Sequence, residues 1–113
     1  MWMTSSRWYH DGVPEPHIAV SYAEATDVIS MTTWLTDGPT VLVPPIATTV
    51  TWRDASGAVL FTADEAGTFT LSPAGFYAGT IAQELVPDVV YMVEVSVEDT
   101  GDTYTSLFAV STS

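Results

Sequence analysis

Between residues 89 and 112 apolar and polar side chains alternate with a period of two, which limits the fold more than any other feature. Val89, Tyr91, Val93, Val95 and Val97 share one face, and Glu94, Ser96 and Glu98 take much of the other. A period of two cannot build the single apolar stripe of a helix, so this stretch reads as a half-buried strand. Asp99-Thr-Gly-Asp102 is turn chemistry, and it returns the chain into Thr103 to Thr112 as the second arm of a hairpin.

The same alternation recurs upstream. From Asp27, residues Ile29, Met31, Thr33 and Leu35 lie on one face and Val28, Ser30, Thr32 and Trp34 on the other, up to the stop at Asp37-Gly38-Pro39. Thr40 to Val43 reads as a short extended piece ended by Pro44-Pro45, since proline cannot donate to a ladder. Thr48 to Arg53, with Val50 and Trp52 on one face, turns through Asp54-Ala-Ser-Gly57 into Ala58 to Ala63 as a hairpin. Past Asp64-Glu65-Ala66-Gly67 come Thr68 to Leu71, a turn at Ser72-Pro73-Ala74-Gly75, and a run from Phe76 to Leu85.

Seventeen Thr and fourteen Val against six Leu fit pleated, half-buried surfaces, and no stretch carries a capped apolar period of 3.6. Seven or eight short strands with frequent turns predict an all-β sandwich, with a small barrel as the rival topology. Residues 1–16 show neither period. They combine Trp2, Trp8 and Tyr9 with Asp11-Gly12, Pro14 and Pro16, and they read as an extended arm ahead of a domain at 17–113. Three aromatics in a free tail would be costly, so the arm is expected to dock on its own domain or on a neighbour.

Trp52 is the best candidate for the centre of the core, with Tyr91, Val93, Val95 and Phe108 around it. Trp34, on the face opposite Ile29, Met31 and Leu35, is available to a partner. With Trp2, Trp8 and Tyr9 it forms the expected protein interface, because Trp and Tyr are enriched at binding hot spots.

Leu85-x-Pro87-x-x-x-Tyr91-x-Val93-x-Val95 resembles the segment entering the penultimate strand of fibronectin type III and related immunoglobulin-like domains. The resemblance implies a tyrosine corner, in which the Tyr91 hydroxyl bonds back to nearby backbone. A second resemblance covers residues 27 to 110. It includes the strand ending Leu-Thr-Asp-Gly, the Thr-Val-Thr-Trp-Arg-Asp-Ala-Ser-Gly-Ala-Val hairpin, Gly-Phe-Tyr, and Phe108-Ala-Val110. This order is similar to the small immunoglobulin-like proteins of tailed viruses, whose hairpins often read Val-x-Val-Arg-Asp-Pro-Ser-Gly; here Ala55 takes the proline's place. The resemblance implies an immunoglobulin-like sandwich carried on a virion.

Charge narrows the partners. Fourteen acidic residues against Arg7 and Arg53 give a net charge of −12, which repels phosphate backbones and argues against nucleic acid. Cysteine is absent, so disulfides and thiolate metal sites are excluded. The start MWMTSSRWYHDG has neither a basic stretch nor a long apolar run, and no segment nears the roughly 20 apolar residues of a membrane span. Neither Sec export nor membrane insertion is expected.

His10 and His17 lack the ligand spacing of a metal site, and Glu98, Asp99 and Asp102 read as turn residues rather than a calcium loop. No Gly-x-Ser-x-Gly elbow or Gly-rich phosphate loop occurs. The expectation is therefore a non-enzyme with no cofactor. With the resemblance, it becomes a virion structural protein, foremost a head decoration protein bound to the major capsid protein or other virion proteins, with a homo-oligomer possible. The alternative is a tail, baseplate or fibre module binding a host receptor or glycan.

Overall fold

The computed structural model describes residues 3–10, 14–41, 47–64, 68–71, 75–99 and 102–112, the first segment by its backbone alone. Trp2, Pro44-Pro45, Glu65 to Gly67 and Ser72 to Ala74 lie outside the described residues. Ten strands follow in order: β1 (Met3–His10), β2 (Glu15–Ala23), β3 (Val28–Asp37), β4 (Thr40–Val41), β5 (Ala47–Arg53), β6 (Val59–Asp64), β7 (Thr70–Leu71), β8 (Tyr77–Ala82), β9 (Val90–Asp99) and β10 (Asp102–Thr112). Helices are absent among the described residues.

Two antiparallel sheets form. One runs β1-β10-β9-β5-β6; the other runs β2-β3-β8-β7, with β4 on the end of β3. Their inner faces carry the alternating apolar positions that close the core. Ile18, Tyr22, Ile29, Met31, Leu35 and Tyr77 come from the second sheet, and Val50, Trp52, Tyr91, Val93, Val95, Val97, Phe108 and Val110 from the first. Trp52 is fully buried on β5, between Phe61 and Tyr91, with ring centroids at 5.4 and 5.9 Å.

The chain is an all-β sandwich of antiparallel sheets. It has a buried tryptophan on β5 and a tyrosine corner at the start of β9. In antibody domains a disulfide cysteine stands two residues beyond the corner tyrosine; here that place is filled by Val93, which is fully buried.

The N-terminal segment departs from the expectation of a separate arm. Met3–His10 is a strand of the first sheet, paired antiparallel with β10 from Met3↔Thr112 to His10↔Ser106. The expected boundary at residue 16/17 falls inside β2, which pairs with β3 from Glu15↔Thr36 to Ala23↔Val28. An edge strand needs only backbone partners and one face of contact, so β1 forms without an apolar period. Residues 3–10 are part of the sheet that they extend.

Candidate interaction surfaces

The register of the second sheet assembles a row of rings on its outer face. His17 on β2 stands opposite Trp34 on β3, and the two rings stack with centroids 5.4 Å apart and planes 13° from parallel. Phe76, just before β8, takes the other flank of Trp34 at 5.6 Å and 51°. His17 Nε2 lies 2.7 Å from Thr36 Oγ1 and 4.0 Å from Glu15 Oε2.

Side chains stand upright on a sheet, so this row is a ridge of rings seen edge-on from solvent. Trp34 is half-buried between its neighbours rather than laid open.

Beyond the ridge the face is low and uncharged. Successive rows across β2, β3 and β8 read Ala19, Thr32, Ala78; then Ser21, Ser30, Thr80; then Ala23, Val28, Ala82. No acidic or basic side chain interrupts these rows, although the chain carries fourteen acids.

A second surface lies at the end of the sandwich where β9 begins. Val59, Val86 and Val90 are the large apolar side chains left most exposed among the described residues, at 57%, 56% and 47%. Pairing places Val59 beside Arg53 and Arg53 beside Met92, with Ala109 next across β10, so the cation stands in an apolar row. Asp54, Glu84 and Asp88 belong to the connections at the same end. Among the described residues no carboxylate comes within ion-pair distance of Arg53.

This end is tied by two tyrosines, one from each sheet. The Val86 N–H donates to the Tyr91 hydroxyl at 2.8 Å, the tyrosine corner that the resemblance implied. The adjacent Leu85 N–H donates to the Tyr22 hydroxyl at 3.2 Å, and Tyr22 in turn donates to Asp27 Oδ1 at 2.6 Å. The bond to Asp27 is the main reason the Tyr22 phenol is held above its ordinary pKa. Thr112 closes the knot by donating to the Val86 carbonyl at 2.7 Å.

In the β5–β6 turn, Asp54 Oδ1 accepts the Ser56 hydroxyl at 2.6 Å, the Ser56 N–H at 2.9 Å and the Ala58 N–H at 3.1 Å. These bonds, that of the Ser56 hydroxyl foremost, hold its carboxyl below the ordinary value. Gly57 supplies the positive φ of 91° that the turn requires.

Of the expected interface residues, Trp34 is on the ridge. Trp8 falls where the β1 register shifts between Arg7 and Tyr9, and Tyr9 pairs through its backbone with Leu107; their side chains lie outside the description. β1 belongs to the first sheet and β3, which carries Trp34, to the second. Sequence reasoning missed His17, Phe76 and Tyr22 as partners because only strand register places them. Among the described residues no three His, Asp or Glu side chains gather into a metal-binding group, and no helix is long and apolar enough to cross a membrane.

Comparison with known protein families, with curated proteins and with solved structures returns no match.

Proposed function

We propose that this chain is a non-enzymatic structural protein of a tailed virus, most simply a head decoration protein that stands on the capsid lattice by one end of its sandwich. The observation that carries the docking end is the exposure of Val59, Val86 and Val90, with Val59 paired beside Arg53. An apolar centre with an arginine and an acidic rim has the anatomy of a protein-binding patch, and the rim complements a basic lattice surface. The viral assignment is supported by the sequence resemblance over residues 27 to 110, whose Asp54 to Gly57 turn joins β5 and β6.

With residues 3–10 paired to β10, a free arm wedged between capsid subunits is not part of this reading. A fibre or tail module that binds glycan is the alternative. It would use a ring presented face-on, whereas Trp34 is flanked on both sides.

Copy number in purified particles tests the proposal. Hundreds of copies per head, with recombinant protein rebinding stripped heads and Val86→Asp/Val90→Asp failing to rebind, is the expected result. A handful of copies, or binding of the isolated domain to host cells, would sink the decoration role, and absence from every virion fraction would sink both viral readings.

A further inference from the structure

Arg53 is one of two cations in a chain with fourteen acids, yet among the described residues no acid holds it. It is half-buried on the outer face of the first sheet, in a row with Val59 on β6, Met92 on β9 and Ala109 on β10. Val90, two residues before Met92, and Leu107, two before Ala109, extend this apolar surround on the same face. The guanidinium carries five N–H donors and has no hydrogen-bond or ion-pair partner among the described residues.

Two carboxylates stand near and neither serves it. Asp54 follows Arg53 in the chain, but its Oδ1 already accepts from Ser56 and Ala58. Glu94, opposite Thr51, belongs to the next row of the same face and lies beyond ion-pair distance.

In the free chain water solvates the exposed part of the group. A partner that covers Val59, Val90 and Met92 removes that water, and a guanidinium buried without acceptors is strongly unfavourable. The occupant must therefore bring an anion. The rest of the molecule selects its kind. A net charge of −12 repels polyanions such as a nucleic-acid strand or an anionic membrane. It also sets two copies of the chain against each other, since each brings the same acids and the same arginine. A single carboxylate in an apolar protein surface suits both the cation and its surround, because a guanidinium fork takes a carboxylate through two parallel bonds.

We infer that the partner of this face is a protein surface on which one Asp or Glu carboxylate, ringed by apolar side chains, pairs with Arg53. The inference rests on the docking end of the proposed function and specifies what that end meets.

Two measurements on the full chain separate it from the decoration role. The first uses octanoate, one carboxylate on an apolar tail, titrated into the tens of millimolar and followed by NMR. The expected result is a saturable shift of the Arg53 Nε–H and of the Val90 and Met92 methyls. Arg53→Gln weakens that binding at least fivefold with the melting temperature unchanged, since Arg53 has no partner in the free chain to lose. Octyltrimethylammonium, with the same tail and a positive head, leaves the Arg53 signal in place. Octanoate that does not move Arg53, or that binds Arg53→Gln equally well, overturns the inference. So does inorganic phosphate that shifts Arg53 as strongly as octanoate.

The second measurement is rebinding to stripped heads. Arg53→Gln loses at least tenfold in affinity, and Arg53→Lys, which keeps the charge without the fork, loses less. Arg53→Gln rebinding like wild type overturns the inference and leaves the decoration role standing. If no virion fraction holds the chain, the decoration role falls and the octanoate titration still decides the inference.

Discussion

The two ends of the sandwich are held by different means. Where β9 begins, three buried hydroxyls have partners: Tyr22 bonds Asp27 and Leu85, Tyr91 bonds Val86, and Thr112 bonds the carbonyl of Val86. Farther along the core, the Thr33 and Ser106 hydroxyls are buried with no hydrogen-bond partner among the described residues. One end is specified by directional bonds across loops, and the other half is held by apolar burial that tolerates orphaned polar atoms. The asymmetry of hydrogen-bond energetics gives the difference its force. Deleting one member of a satisfied pair strands the other, while deleting an orphan removes only a desolvation cost.

Breaking the tied end has the largest effect. Tyr91→Phe leaves the Val86 N–H without its acceptor and costs about 1–3 kcal/mol. For a domain of this size that is about 4 °C of melting temperature per kcal/mol. The double variant Tyr22→Phe/Tyr91→Phe strands both adjacent N–H groups and melts lower than either single one. Thermal melts followed by circular dichroism decide this; a Tyr91→Phe melt equal to wild type would mean that the corner is ornamental. Thr112→Val comes next at about 1–2 kcal/mol, because it removes the bond to Val86 but keeps the buried volume.

The opposite half predicts the reverse sign. Thr33→Val and Ser106→Ala each remove a buried hydroxyl with no partner and raise stability by up to about 1 kcal/mol. If either variant melts lower by as much, that hydroxyl has a partner in solution, and the contrast between the ends disappears.

The strands held by apolar burial were the legible part. Ile29, Met31 and Leu35, and Tyr91 to Val97, sit in the core because a period of two is a local property of the chain. β2 carries the same signal in Pro16, Ile18, Val20 and Tyr22, all facing the core, but Pro16 and the polar residues between them disguised it as part of an arm. β1 has no apolar period because its partner is the edge of β10.

The tied end was legible only in part. Tyr91 and Val86 are five residues apart, and the tyrosine corner has a recognisable spacing. Tyr22 meets Leu85 across 63 residues, a separation that no local pattern encodes. The ridge follows the same logic. Trp34 could be placed on the outer face from its own strand, whereas His17 and Phe76 join it only through the registers of β2 and β8.

The smallest effect is electrostatic, and it too belongs to the tied end. Asp54 has its carboxyl held below the ordinary value near 3.8. The unfolded chain therefore takes up that proton first as pH falls. The contribution of Asp54 is present above the ordinary value and is lost as pH falls through the folded one. Tyr22 has the opposite sense. Its phenol is held above 10.0, so its contribution is complete below that pH and is lost as pH rises through the folded value. Urea melts across pH should thus show Asp54→Asn approaching wild type at the acid limit and Tyr22→Phe approaching it at the alkaline limit. Thr33→Val should stay parallel to wild type throughout, since Thr33 has no ionisable group to link. A Thr33→Val difference that varied with pH would show that the two ends are coupled, and the division between bonded and packed halves would have to be redrawn.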